Sequence, residues 1–226
     1  GNKNGISQVG RNGTISGNKC ESNTYSNIHL QYNNAKFDGR NNAITGNALR
    51  GAEVGVLADA NINGASINNN TLEYCKEGVK ASTGTTAFSI QSNVIRGFTC
   101  ALNLALGNGH IAHGNVVIPY ADWTAGTLYA VGDRCVNAAN VYEATTVGSS
   151  GPTAPTHTSG SASDGAVTWL WLGSHLGVSL GGSANLSVKN NSLSGVISIG
   201  SASGLSFSGN KGAATEAYGS YTVPSR

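Results

Sequence analysis

One short pattern of apolar and polar positions recurs along the chain, apolar-x-x-Asn-x-apolar. It reads Ile44-Thr45-Gly46-Asn47-Ala48-Leu49, Ile67-Asn68-Asn69-Asn70-Thr71-Leu72, Ile90-Gln91-Ser92-Asn93-Val94-Ile95 and Val188-Lys189-Asn190-Asn191-Ser192-Leu193. Looser copies start at Ile15 and Phe207, and Ile111 to Asn115 reads as a copy with one extra residue. From Asn47 to Asn70 is 23 residues, from Asn70 to Asn93 is 23, and from Asn93 to Asn115 is 22. Between the copies, apolar residues alternate over short stretches such as Gly55 to Ala58 and Gly78 to Ala81, with Gly and Asn at the breaks and no helical period. The pattern predicts an all-β solenoid in which successive rounds stack about 4.8 Å apart. Inward ladders are expected from Ile44, Ile67 and Ile90, from Leu49, Leu72, Ile95 and Leu193, and from Val56, Val79 and Leu102. The recurring Asn is expected at one corner, taking a left-handed bend and bonding backbone groups left unpaired by the turn.

The period breaks once. From Asn115 to Asn191 is 76 residues, about 54 more than one round needs, and insertions of this kind belong in loops of a repeat. Residues 119–174 hold all three tryptophans (Trp123, Trp169, Trp171), three of the four prolines and no copy of the Asn pattern. His175 to Leu180 then continues the pattern of Cys100 to Leu104. The expected division is a first solenoid part at 1–118, an inserted module at 119–174, and a continuation with an exit segment at 175–226.

Composition narrows the partners. A net charge of +2 with scattered Lys and Arg leaves no electrostatic footprint for nucleic acid. Apolar runs such as Ala101 to Leu106 fall far short of the roughly 20 residues that span a bilayer, so membrane insertion is not expected. Cys20, Cys75, Cys100 and Cys135 form no metal-ligand or CxxC spacing, which predicts buried free thiols, assembly in a reducing cytoplasm, no metal and no cofactor. The chain lacks Met and opens on Gly1-Asn2-Lys3-Asn4, as an internal piece of a longer protein would.

Catalytic candidates are few. Counted from the recurring Asn, Glu53 and Glu77 are diagonal neighbours on successive rounds, Lys76 stacks over Glu53, and Asp59 lies six residues further round. Glu53 and Glu77 could act as an acid–base pair. They could equally belong to a solvated charge ladder, since Glu21, Arg50, Glu73 and Arg96 share one offset with alternating sign. Both readings stay open. The five histidines show no partnering pattern.

On these repeats the chain resembles the right-handed parallel β-helices of the pectate-lyase superfamily, bacteriophage tailspikes included, which carry similar Asn ladders. Within the insert, Trp123, then Tyr129-Ala-Val-Gly132-Asp133, then Tyr142-Glu143-Ala144, then a closing Trp169 resembles small chitin-binding-type carbohydrate-binding modules. The stretch from Gly148 to Gly160 is similar to a variant of phage tail proteins. The resemblance implies a homotrimeric tailspike of the virion tail that binds, and as a depolymerase cuts, a bacterial surface polysaccharide. A secreted or prophage-encoded lyase or epimerase and an inert shaft are the alternatives. It further implies sugar contact by Tyr142, Trp171, Trp123, Trp169 and Tyr129, because sugar C–H faces pack on aromatic planes. Against that, a module this small needs a core, for which Trp123, Tyr129 and Trp169 are the natural members.

Overall fold

The computed structural model describes residues 2–34, 37–38, 40–212 and 214–216. Every regular element among them is a strand, and none is a helix. Contacts divide the chain into two compact units, Gly1–Ile118 with Leu176–Arg226, and Pro119–His175.

In the first unit the chain visits three parallel sheets in rotation. The eight-stranded sheet contains Asn4–Gln8, Ser26–Leu30, Val54–Ala58, Glu77–Ala81, Cys100–Asn103, Leu176–Ser179, Val196–Ser198 and Ala214–Glu216, stacked in chain order. The seven-stranded sheet runs from Thr14–Ser16 to Ser206–Ser208, and the five-stranded sheet from Lys19–Glu21 to Val116–Ile118. Register follows the repeat. Ile15, Ile44, Ile67, Ile90, Ala112, Val188 and Phe207 align in one row. A second row holds Cys20, Leu49, Leu72, Ile95 and Val117, and a third holds Ile6, Ile28, Val56, Val79, Leu102, Val178 and Ile197. Members of all three rows share one apolar core. The copy at Asn115 has no extra residue: Ala112 takes the inward place and Ile111 is exposed, because an apolar side chain at either neighbour fits the same pattern.

Between the seven- and five-stranded sheets stands a column of asparagines. Each carboxamide Nδ2 donates to the Oδ1 of the next, from Asn18 through Asn47, Asn70, Asn93, Asn115 and Asn191 to Asn210, at 2.9 to 3.0 Å. Each Oδ1 also accepts the backbone N–H of the preceding Asn at 2.9 to 3.1 Å. The Nδ2 of Asn47, Asn70, Asn93, Asn115, Asn191 and Asn210 donates in addition to a carbonyl one round back, Ile15 to Val188. Asn47, Asn70, Asn93, Asn115 and Asn191 are buried, so these bonds satisfy groups that water cannot reach. The left-handed bend falls one residue before each ladder Asn, on Gly17, Gly46, Asn69, Ser92, Gly114, Asn190 and Gly209. The sequence expectation had put it on the Asn itself. The division is physical: the bend turns the chain and thereby aims the following side chain along the stacking axis.

The sheets continue across the interruption. Ile118 pairs with Arg96 and Leu176 with Cys100, and between Arg96 and Cys100 lie only Gly97, Phe98 and Thr99. A three-residue turn therefore spans the gap that residues 119–175 occupy. The four cysteines are free and buried. Of the exit segment, residues 217–226 lie outside the described residues.

The second unit is antiparallel. Its four-stranded sheet has the order Arg134–Asn137, Asn140–Ala144, Val167–Ser174, Ser161–Asp164, and a two-stranded ribbon joins Leu128–Tyr129 to Gly148–Ser149. Its core holds Tyr129, Cys135, Tyr142, Ala144, Val167 and Trp169.

Replacing residues 119–175 by Gly-Phe-Thr, a copy of the turn one round earlier, should leave the first unit folded. Loop closure favours three residues over a flexible connection of 57 by about 3 kcal/mol. Circular dichroism and thermal unfolding of the deleted chain check this, and loss of the parallel sheets would contradict it. The pH dependence gives a second test. Burial pushes the His110 imidazole down from its ordinary 6.5 to about 4, and its Nδ1 accepts the Phe88 N–H at 3.1 Å, which requires the neutral ring. The unfolded chain therefore binds the proton more tightly. This contribution is complete above pH 6.5 and declines as pH falls toward 4, by about 3 kcal/mol in all. Burial pushes His175 down to about 4 as well, so urea titrations at pH 7.5 and 4.5 should show at least that loss, and His110→Asn, whose Oδ1 can accept the same N–H, should remove the His110 share.

Candidate functional site

On the eight-stranded sheet, side chains alternate between the core and the outer face. One outward row runs Ser7, His29, Leu57, Lys80, Asn103, Ser179 and Ser198 in direct register. Parallel pairing spaces its members about 4.8 Å apart. A second row aligns Asn4, Ser26, Val54, Glu77 and Cys100; it has the parity of the core row, but Glu77 reaches Lys80 and Asn103 on the outer face, so alternation breaks between Glu77 and Val79. Chemistry concentrates where the two rows meet.

Glu77 is 16% exposed; its Oε2 lies 2.7 Å from the Lys80 ammonium, and its Oε1 accepts from Asn103 Nδ2 at 2.6 Å. Burial by itself would lower the Lys80 pKa, but the bond and charge of Glu77 override it and raise it, so the ammonium stays charged. Burial and the nearby Glu77 carboxylate raise the Cys100 thiol, which keeps it protonated and unreactive.

Glu53 stands at the turn before this sheet and pairs with Lys76 at 2.9 Å, both 47% exposed. The Glu77 N–H donates to the Glu53 carbonyl at 2.8 Å, so the two carboxylates come from adjoining backbone. The charge ladder is present too: Glu73 aligns with Arg50 and Arg96 and contacts Arg96 at 3.7 Å.

Asp59 follows Ala58, five residues beyond Val54, the partner of Glu77. At about 3.3 Å per residue that is roughly 16 Å along the strand, too far to pair with Glu77 across a glycosidic bond. Its Oδ1 instead lies 2.8 Å from His29 Nε2, and its Oδ2 accepts the Tyr32 N–H at 3.3 Å. With Nε2–H donating to Asp59, His29 Nδ1 is the acceptor for Asn4 and Gln31 amides at 3.4 Å. Tyr25 packs edge-on to His29 at 6.4 Å with the Lys3 ammonium 5.6 Å from its ring centre. Sequence spacing hides this pair, because His29 and Asp59 face each other across a lengthened round: Ile28 aligns with Val56, 28 residues on, where the next round takes 23.

In the second unit the aromatics divide differently from the sequence expectation. Tyr142 and Trp169 are fully buried and Tyr129 nearly so. Tyr129 stands edge-on to Trp169 at 4.7 Å and accepts the Thr124 N–H at 3.1 Å; Tyr142 donates to the His157 carbonyl at 2.9 Å. None of the three offers a free ring face. Both faces of this strand are covered, so the consecutive residues Val141 and Tyr142 are both fully buried. Val141 joins a cluster with Tyr120 and Val136, while Tyr142 enters the Trp169 core. Trp123 and Trp171 are partly buried; Trp123 Nε1–H donates to Asp164 at 3.2 Å and Trp171 Nε1–H to Asn140 at 3.0 Å. Asp133 is a turn residue whose carboxylate accepts the Ala130 N–H at 2.7 Å. No group of three or more His, Cys, Asp or Glu suited to a metal occurs among the described residues.

No protein-family model matches the chain, and no curated protein matches it.

Proposed function

We propose that the chain is a right-handed parallel β-helix segment of a phage tailspike, in which the three sheets close into one solenoid and bind a bacterial surface polysaccharide. The observation that carries this reading is the outward row of the eight-stranded sheet. Beyond the buried Leu57, its members Lys80, Asn103, Ser179 and Ser198 form a polar track with one residue about every 4.8 Å, which suits an extended ligand whose hydroxyl-bearing units repeat along its length. Shared rows and an unbroken asparagine column support the solenoid, since each round then buries its apolar residues only against its neighbours. Homotrimeric assembly in the virion tail comes from the family resemblance alone.

Lys80 and Asn103 supply fixed donors and acceptors on the track, and Glu77 is held by both. Glu53 and Glu77 are the carboxylates offered for acid–base cleavage of a bound chain. In the inserted module, Trp171 and Trp123 retain the partial exposure that sugar stacking needs, and Tyr142, Trp169 and Tyr129 hold the unit together.

Binding of the whole chain to purified capsular and O-antigen polysaccharides tests the reading. Lys80→Ala with Asn103→Ala should weaken binding at least about tenfold, on the scale of lost charged and neutral hydrogen bonds. Shortening of the bound polymer, followed by size-exclusion chromatography, should fall at least about 100-fold in each of Glu53→Gln and Glu77→Gln. Full cleavage by both variants would move the acid–base chemistry elsewhere. Binding without any cleavage would leave a non-catalytic shaft, and no binding at all would contradict the proposal.

A further inference from the structure

The inserted unit contains a cleft of about 410 Å³ between the loop at 152–157 and the hairpin at 162–165. Pro152, Thr153, Thr156, His157, Ser163 and Asp164 are among its lining residues. Its chemistry is that of a hydrogen-bond acceptor site. Asp164 is nearly buried, and its Oδ2 accepts the indole N–H groups of Trp123 at 3.2 Å and Trp169 at 3.4 Å, which fix the carboxylate. Its Oδ1 lies against the bare Cα of Gly151, where an added Cβ would approach within 2.3 Å.

His157 is fixed as well. Its ring tilts against Tyr142 at 5.1 Å, and its Nε2 lies 3.1 Å from the Trp169 carbonyl. A carbonyl only accepts, so Nε2 carries the proton and Nδ1 is left as an acceptor. That Nδ1 is buried and has no hydrogen-bond partner among the described residues. An unsatisfied buried acceptor is uncommon in a folded chain and destabilises it until a donor arrives.

The lining contains no Lys or Arg, so nothing in it compensates an anion, while Thr153, Thr156 and Ser163 offer hydroxyls and the two prolines offer apolar C–H faces. Buried Tyr129, Tyr142 and Trp169 cannot stack a ligand, yet Trp169 holds Asp164 and Tyr142 holds His157, the two acceptors of this cleft. We propose that the cleft is a saccharide pocket that takes one neutral, hydroxyl-rich sugar unit, whose O–H groups donate to Asp164 and to His157 Nδ1 as the loop at 152–157 adjusts around it. The proposal rests on the polysaccharide reading above and assigns part of that binding to the Pro-Thr loop rather than to an aromatic face.

Nuclear magnetic resonance on the whole, isotope-labelled chain tests it. The probes are glucose, galactose, mannose, rhamnose and N-acetylglucosamine, together with the purified polysaccharides. At least one probe should shift the amides of 152–157 and 162–165 and the His157 Nδ1 resonance. His157→Phe should weaken that binding at least tenfold. Thr156→Trp, which fills the cleft from an exposed position without touching the core, should abolish it, and this variant decides the matter should His157→Phe unfold. Polysaccharide shifts confined to the eight-stranded sheet would overturn the pocket and leave the polysaccharide reading standing. Unchanged binding in Thr156→Trp would also overturn the pocket. If no probe shifts any resonance, both readings fail.

Discussion

The first unit depends on one hydrogen-bonded column, the stacked carboxamides from Asn18 to Asn210. A turn between two parallel sheets leaves backbone N–H and C=O groups facing one another's sides rather than a partner strand, and in a buried position each such group needs a bond. A carboxamide has both donors and acceptor on a short arm. Asp in its place would lose the donors and stack like charges, and an aliphatic residue would remove the bonds to the carbonyls of Ile15, Ile44, Ile67 and Ile90 and to the neighbouring carboxamides. Because the column fixes the corner, the apolar rows on either side are held in register, and the outer face of the eight-stranded sheet inherits that regularity.

The column is also why an insertion is tolerated. Asn115 and Asn191 bond as neighbours although 76 residues separate them, at the same 2.9 Å seen within uninterrupted rounds. The inserted unit has its own aromatic core, so its folding does not draw on the apolar rows of the first. Such an arrangement lets a separately folded unit interrupt the repeat without breaking its register.

Much of the fold is legible in the sequence because spacing and register are the same quantity in a stacked repeat. The intervals of 23 and 22 residues place Ile44 over Ile67 over Ile90 before any coordinate is known, and Lys76 over Glu53 follows from the same count. Legibility ends where the count changes. The longer round between Asn18 and Asn47 hides the His29 and Asp59 pair, whose members only meet once the extra residues are looped out. Tyr142 misleads for another reason: its strand is covered on both faces, Val141 facing Tyr120 and Val136 while Tyr142 enters the Trp169 core, and local sequence does not say which strand of so small a module has both faces covered. The cleft at 152–157 lies in a segment with no periodicity at all, and only the unpartnered nitrogen of His157 marks it.

The central claim is that the buried carboxamide column, rather than the apolar rows alone, specifies the stack. Asn70 is its cleanest test, being fully buried and bonded to Asn47, Asn93 and the Ile44 carbonyl. Urea unfolding of Asn70→Ala beside the unaltered chain should show a loss of about 1–3 kcal/mol, the cost of leaving buried backbone and carboxamide groups unpaired. A change within about 0.5 kcal/mol, the range of ordinary surface substitutions, would contradict the account.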